Sequence, residues 1–458
     1  MIKHALMLAA LLAAPLAAQS HPADNVSEER LKRDVEKLVS FGTRHTLSVQ
    51  DDPKRGIGAA VNWGLDEFRR IGANCGNCLE VLPVGETVTG PRIPTPTLVR
   101  NAVAIQRGTL RPNEVVIVQG HIDSRVSDVM DATSDAPGAN DDGSGTALVL
   151  EAARVLSGTK YPTTIIYALL SGEEQGLHGG QILANWAEAQ GFTVKAVLNN
   201  DIVGNSCGSD GYCEPKIVRV FSEGPRADLT DRLRAAQTRF GGENDSPGRN
   251  LSRWVAELAA KQKDGLQVRQ IWRTDRMGRG GDQVPFLQKG YPAIRFSVGV
   301  EDYDHQHQDL RTENGVFYGD TIDEMDFAYL AKVTQLNVRA LDMLAHAPMP
   351  PKVSVDAAVR TDTELTWKAV PGAGIYTIFA RRTDQPYWGE MLGVKYIDGP
   401  QAASDKAAAE GREFSFVVKQ RGDDWIYGIQ TCASARDENA CSPIASAVPG
   451  GAFEPVGR

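Results

Sequence analysis

In this 458-residue chain, acidic and imidazole side chains recur directly after apolar runs. His121 and Asp123 close VVIVQGHIDS, Asp141 lies in PGANDDGSG, Glu173 and Glu174 follow TTIIYALLSG, Asp201 follows AVLNN, and His305 and His307 sit in DYDHQHQD. Short apolar runs of this kind predict buried strands, and charges beside them are costly to bury unless paired or metal-bound. One such segment would be an ordinary loop after a strand. The succession GHID, NDD, GEE and NND predicts a shared site, because in open α/β sheets separated stretches of chain converge beyond the carboxyl ends of the strands. Two imidazoles beside three or four carboxylates, with no cysteine among them, suit zinc first and cobalt or manganese next. A thiolate-bound structural zinc and an all-oxygen calcium cage fit less well. The expected chemistry is two-metal hydrolysis, in which cations roughly 3.5–4 Å apart activate a shared water and polarise the scissile carbonyl.

The order GHIDS, PGANDDGSG, SGEEQGL, NNDIVG and a late histidine before Asp309 resembles the M28 metallopeptidases, the co-catalytic zinc aminopeptidases and their carboxypeptidase relatives. The resemblance runs from about Leu31 to Met343 and includes LVSFGTRHT and RGGDQVPFLQKGYPAIRF. It implies that Asp141 bridges two zinc ions, that His121 and Asp201 hold one, and that Glu174 and the late histidine hold the other. It also implies that Glu173 is the general base and acid and that Asp123 fixes the ring of His121, a partner ligating histidines usually have. The family's peptide bond after the bridging aspartate is cis, which here is Asp141–Asp142 and leaves Asp142 outside the ligand set. For the late ligand, His305 has the family's four-residue spacing to Asp309 and is slightly favoured, with His307 as the alternative. A departure is Gln283 after Asp282, where the family often has histidine.

The elements needed to position these groups are legible around them. Strand-like runs alternate with amphipathic stretches such as GTALVLEAARVL and DFAYLAKVTQLNVRALDMLAH, which predicts an α/β fold with a mixed twisted sheet flanked by helices. The chain exceeds one ordinary domain in length. Pro348, Pro350 and Pro351 in AHAPMPPKV mark a boundary. The expected division is a signal peptide at 1–18, a zinc exopeptidase-like domain at 25–347 and an all-β sandwich at 352–448. TELTWKAV, GIYTIFARR, EFSFVVKQ and WIYGIQTCA supply the strands of the last, and the Trp367 strand with PGAGIYTIFAR resembles a fibronectin type III module. With every expected ligand before Asp309, a chain ending near Ala347 is expected to fold and to cleave a small reporter.

MIKHALMLAALLAAPLAAQS reads as a secretory leader cleaved near Ala18, and no later run reaches the roughly 20 apolar residues of a membrane span. The expectation is a secreted or periplasmic protein. Cys75 with Cys78, Cys207 with Cys213 and Cys432 with Cys441 form close pairs that fit three local disulfides in that setting. A net charge of −9 and the lack of a basic stripe argue against nucleic acid as a partner; a peptide is the expected substrate. The sandwich is expected either to bind a surface or polymer or only to pack on the catalytic part.

The reading is a dinuclear zinc exopeptidase, an aminopeptidase first. A carboxypeptidase or amidohydrolase of the same family would need cations such as Arg273, Arg276 or Arg279 for the substrate carboxylate. A glutaminyl cyclase-like acyltransferase with one zinc, or a binding protein without catalysis, accounts less well for a complete ligand set with Glu173.

Overall fold

The computed structural model describes residues 21–389, 391–397, 401–435 and 437–457; the expected leader at 1–18 lies outside them. Its centre is an eight-stranded mixed sheet: β1 (Glu80–Gly90), β2 (Ile93–Gln106), β3 (Arg111–His121), β4 (Thr163–Leu170), β5 (Thr193–Asn200), β6 (Ile217–Phe221), β7 (Gln267–Ile271) and β8 (Ala293–Val298), in the order β1-β2-β4-β3-β5-β8-β6-β7. The middle four, β4, β3, β5 and β8, are parallel, and β4 and β8 are buried along their whole length. This is why their sequences are nearly continuous Val, Ile, Leu and Ala rather than alternating.

Among the described residues, eight α-helices accompany the sheet. One face carries α1 (Glu28–Val39), α2 (Gly56–Asn74), α3 (Gly143–Leu156), α6 (Pro247–Ala260) and α8 (Phe327–His346), whose apolar stripes share a core with Val116, Val118, Ile165 and Leu198. The other carries α4 (His178–Ala189) and α7 (Val284–Gln288), packed on Val115, Ile117, Ile166 and Val197. The short α5 (Asp231–Phe240) buries mainly Leu233 and Gln237. Two close approaches need glycine. A Cβ on Gly120 at the end of β3 would lie 2.6 Å from Gly145 C, and one on Gly145 would lie 2.1 Å from Asn200 O, so the start of α3 rests directly on the ends of β3 and β5.

After α8 come β11 (Val353–Asp356), β12 (Thr363–Lys368), β13 (Ile375–Arg382), β14 (Met391–Tyr396), β15 (Glu413–Val418), β16 (Trp425–Cys432) and β17 (Ala445–Ser446), following the small hairpin of β9 (Arg311–Glu313) and β10 (Val316–Tyr318). They form antiparallel sheets β11-β12-β15 and β14-β13-β16-β17. Leu365, Trp367, Tyr376, Ile378, Phe414 and Ile429 are buried between them, with the Trp367 ring edge-on to Tyr376 at 5.4 Å. The expected α/β sheet followed by a β-sandwich is the observed architecture, and all three expected disulfides are present. Among the described residues no helix is long and apolar enough to cross a membrane.

The sandwich is fastened where β4 and β5 begin. Lys195 Nζ donates to Thr163 Oγ1 and to Leu344 O, and Arg111 Nη2 donates to His346 O and Ala347 O, placing cations at the negative end of α8. Buried Asp245, just before α6, accepts Arg381 Nη2 of β13 on both oxygens at 2.6 Å and Ser446 Oγ at 2.8 Å. Arg226 donates to the carbonyls of Gly450, Ala452 and Glu454.

Candidate functional site

The expected site residues emerge at the opposite end of the sheet. His121 is the last residue of β3, Glu173 and Glu174 follow β4, and Asp201 follows β5; Asp141 sits just before α3, whose N-terminus is capped by Asp142. His121 Nε2 lies 3.0 Å from Asp141 Oδ1 and 3.9 Å from Asp201 Oδ1. His307 Nε2 lies 2.9 Å from Asp141 Oδ2 and 2.8 Å from Glu174 Oε1. Donor atoms therefore converge, within 4.8 Å of one another, in two groups that share Asp141: His121, Asp141, Asp201 and Asp141, Glu174, His307. Glu173 joins His121 and Glu174 in a third such group and keeps part of its surface open.

The two late histidines separate clearly. His305 turns away, its Nδ1 2.9 Å from Asp302 and its Nε2 3.3 Å from Glu324. Four-residue spacing to Asp309 leaned towards His305, but His307 adopts a left-handed backbone, φ 58°, and it is His307 that reaches the cluster. Asp309 accepts from Ser127 Oγ and Ser127 N instead of touching either ring.

Asp123 also differs from expectation in detail. His121 Nδ1 lies 3.0 Å from the main-chain oxygen of Asp123 and 3.5 Å from its carboxylate, so the carbonyl is the nearer partner of the ring. The carboxylate accepts Thr46 Oγ1 at 2.9 Å and the amides of Glu173 and Glu174 at 3.3 and 3.2 Å, which fixes the turn carrying both glutamates. Asp142 accepts His121 N and Gly145 N. It is occupied as a cap, and the Asp141–Asp142 bond is cis. A second cis bond, Asp201–Ile202, had no sequence signal.

Electrostatics mark the cluster as overloaded with negative charge. Burial, with Glu174, Asp201 and Asp282 adding repulsion, pushes Glu173 well above the ordinary carboxylate range against the pull of His121. Burial lifts Asp282 to about 7 and also raises Asp201, although Arg295 and His121 oppose it. Burial works against Asp141 and Glu174 too, but His307, joined by His121 at Asp141 and by Arg125 at Glu174, outweighs it and holds Glu174 at about 2 and Asp141 well below the usual value. His307 is raised to about 9, the charges of Glu174 and Asp141 overcoming its burial. Glu174 Oε1 is buried without a hydrogen-bond partner although His307 Nε2 is only 2.8 Å away. The two atoms are close but not aligned as donor and acceptor, as expected of two ligands aimed at one point. With nitrogen and oxygen donors only and a surplus of carboxylates, the residues fit divalent zinc.

Sequence reasoning missed several supports. Asp320 accepts the amides of Asn140 and Asp141 at 2.8 and 2.7 Å, and wholly buried Arg44 donates to Ile122 O, Pro137 O and Gly138 O. Between them they clamp the Asp141 loop. Arg125 donates through Nε to Glu174 at 2.8 Å and lies against His307 Nδ1; Gln306 Nε2 donates to Asp141 Oδ2. Asp320 follows a hairpin with no motif around it. Arg295 had a signal, a charge inside the apolar run AIRFSV.

The profile of "Peptidase family M28" matches residues 101–326, a span containing every residue of this cluster. A "probable zinc metalloprotease" of Leptosphaeria maculans is 45% identical over 376 residues, covering 81% of this chain and 87% of its own. The chain belongs to peptidase family M28. It is thus a hydrolase, as the sequence resemblance implied. A second relative named a "probable zinc metalloprotease", from Pyricularia oryzae, is 42% identical over 420 residues, 89% of this chain and 80% of its own. Among solved structures, the LapA aminopeptidase of Legionella pneumophila aligns with a TM-score of 0.49 at 20% identity, over 73% of this chain and 78% of that one.

Proposed function

We propose that this M28 peptidase is a secreted dinuclear zinc aminopeptidase. The observation that carries the reading is the pair of ligand groups hinged on Asp141. His121 and Asp201 would hold one ion, Glu174 and His307 the other, and Asp141 both. Zinc is the metal in the names of the curated relatives, and the donor set suits it, with cobalt or manganese as workable substitutes. When bound, such a pair supplies Lewis-acid polarisation and an acidified water. Glu173 takes the proton of the attacking water and returns it to the departing amine, for which its raised proton affinity and partly open position suit it. Asp123 positions Glu173 and Glu174 through their amides.

The charges favour the amino end of the substrate. Arg276, one of the three cations a carboxypeptidase reading would use, is held by Asp275 and Glu301. Arg125 is held by Glu174 and Arg295 by Asp201 and Asp275. An ammonium group meets surplus carboxylate here, whereas a carboxylate would have to displace an existing partner to pair with Arg276, Arg125 or Arg295. Two ligand groups also speak against a one-zinc acyltransferase. Three disulfides support an oxidising compartment, and the charges shared between sandwich and sheet body support a packing role for the sandwich. Purified full-length protein assayed against aminoacyl reporters and carboxyl-terminal reporters, with zinc analysis, tests this. Cleavage confined to carboxyl-terminal reporters would overturn the aminopeptidase assignment.

A further inference from the structure

The inner side of Asp201 is occupied by an arginine that belongs to no expected ligand group. Arg295 interrupts the apolar strand β8 and is wholly buried. Its Nη2 donates to Asp201 Oδ1 at 2.8 Å and its Nε to the carbonyl of the same residue. Its Nη1 donates to both oxygens of Asp275 at 2.8 Å and to Gly280 O at 3.1 Å. Asp275 also accepts Arg276 Nε at 3.1 Å, Arg276 Nη1 donates to Glu301 at 3.0 Å, and Arg219 Nη2 donates to Glu301 at 2.6 Å. Asp201, Arg295, Asp275, Arg276, Glu301 and Arg219 thus alternate in sign from the cluster to β6.

A neutral apolar side chain would satisfy β8 at less desolvation cost, and buried ion pairs are weak as a source of stability. What the string does achieve is geometric. Its second member, Arg295, fixes Asp201 by side chain and main chain together. Its fifth, Glu301, lies in the loop 299–310 that delivers His307.

We propose that Arg295 is a positioning residue for the metal centre: it sets the orientation of Asp201, and through Asp275, Arg276 and Glu301 it holds the His307 loop in register with it. This rests on the reading of Asp201 and His307 as ligands. The guanidinium is suited to the task because its planar fork engages two carboxylates and a carbonyl at once, which a lysine ammonium cannot reproduce.

The test uses the full-length protein, with zinc affinity measured by chelator competition and the visible spectrum recorded after cobalt substitution. Arg295→Met is expected to weaken at least one of two zinc equivalents by about ten- to a hundredfold, the usual effect of removing a partner that orients a ligand, and to alter the cobalt spectrum. Arg295→Lys should recover part of both. If Arg295→Met is merely less heat-stable while zinc affinity and cobalt spectrum stay as in the parent, the string only supports the fold and the proposal is overturned. Should Arg295→Met fail to fold, Asp275→Asn decides: it keeps the bonds to Asp201 but loosens their anchor, and unchanged zinc affinity there also overturns the proposal. Asp201→Asn tests the underlying reading separately, since retention of both zinc equivalents in that variant would show that Asp201 is not a ligand, whatever Arg295 does.

Discussion

Buried charge appears at both ends of the central sheet, but on different terms. Beneath it, where β4 and β5 begin and the sandwich is attached, Asp245 is met by Arg381, Arg253 and Ser446, and Lys195 by Glu114 and the last carbonyls of α8. Above it, Asp141, Asp142, Glu173, Glu174, Asp201 and Asp282 crowd around His121 and His307, and burial holds Glu173 and Asp282 far above their ordinary values. Matched charge builds a joint. Carboxylates in excess of their cationic partners describe a site that suits a further cation, because a buried carboxylate without a counter-ion is otherwise driven to protonate. A cleft of about 1110 Å³ lined by Trp272, Arg253, Arg381 and Trp425 lies at the joint, at the end of the sheet opposite the cluster.

Substitutions can break this contrast, and the largest effect is expected at Asp141, the proposed shared ligand. Asp141→Ala should remove bound zinc and abolish reporter hydrolysis, while Asp142→Ala, which loses a helix cap, should lower stability by about 0.5–2 kcal/mol and retain more metal; equal zinc loss in the two would refute the assignment. Glu173→Gln should keep zinc and fold yet lower kcat by about two to four orders of magnitude, read from steady-state kinetics on metal-loaded protein. At the lower end, Arg381→Met removes the nearer of the two cations of Asp245, leaving Arg253 at 3.5 Å and Ser446, and should cost up to about 3–5 kcal/mol of stability in denaturant titration, with kcat at low temperature unchanged. A chain ending at Ala347 would lose the same partner together with the carbonyls that Arg226 engages. It is therefore expected to unfold more readily than the full chain, contrary to what the proline-rich boundary suggests. His307→Ala should cost zinc, whereas His305→Ala should leave zinc content near that of the parent.

The contrast also has a pH signature. Asp282 and Asp320 have folded values near 7, above an unfolded value of 3.8, and His307 is near 9 against 6.5. Raised folded values give stability that is full below the unfolded value and lost as pH rises through the folded one. Metal-free protein should therefore show a falling Tm between about pH 5.5 and 8.5, and zinc should flatten that slope. A Tm that rises across this window without metal would argue against the charge surplus.

The strands that lead to His121, Glu173 and Asp201 were readable because parallel strands buried on both faces must be continuous apolar runs, and the polar residues at or just past their ends stand out. The sandwich was readable from alternation and turn residues. The choice of His307 was not, since it depends on a left-handed residue in a loop whose path no periodicity records. Asp320 and Arg44 were hidden for a related reason: they act on main-chain groups of the Asp141 loop, and such contacts leave no spacing pattern. The joint with the sandwich was likewise invisible, because Asp245 and Arg381 are 136 residues apart.

The most direct measurement is a zinc titration of metal-free full-length protein, following bound metal and aminoacyl-reporter turnover together. The expected result is two bound equivalents per chain, with full turnover reached only as the second binds. A single equivalent that restores full turnover, with no second ion taken up, would contradict a centre built around a bridging Asp141.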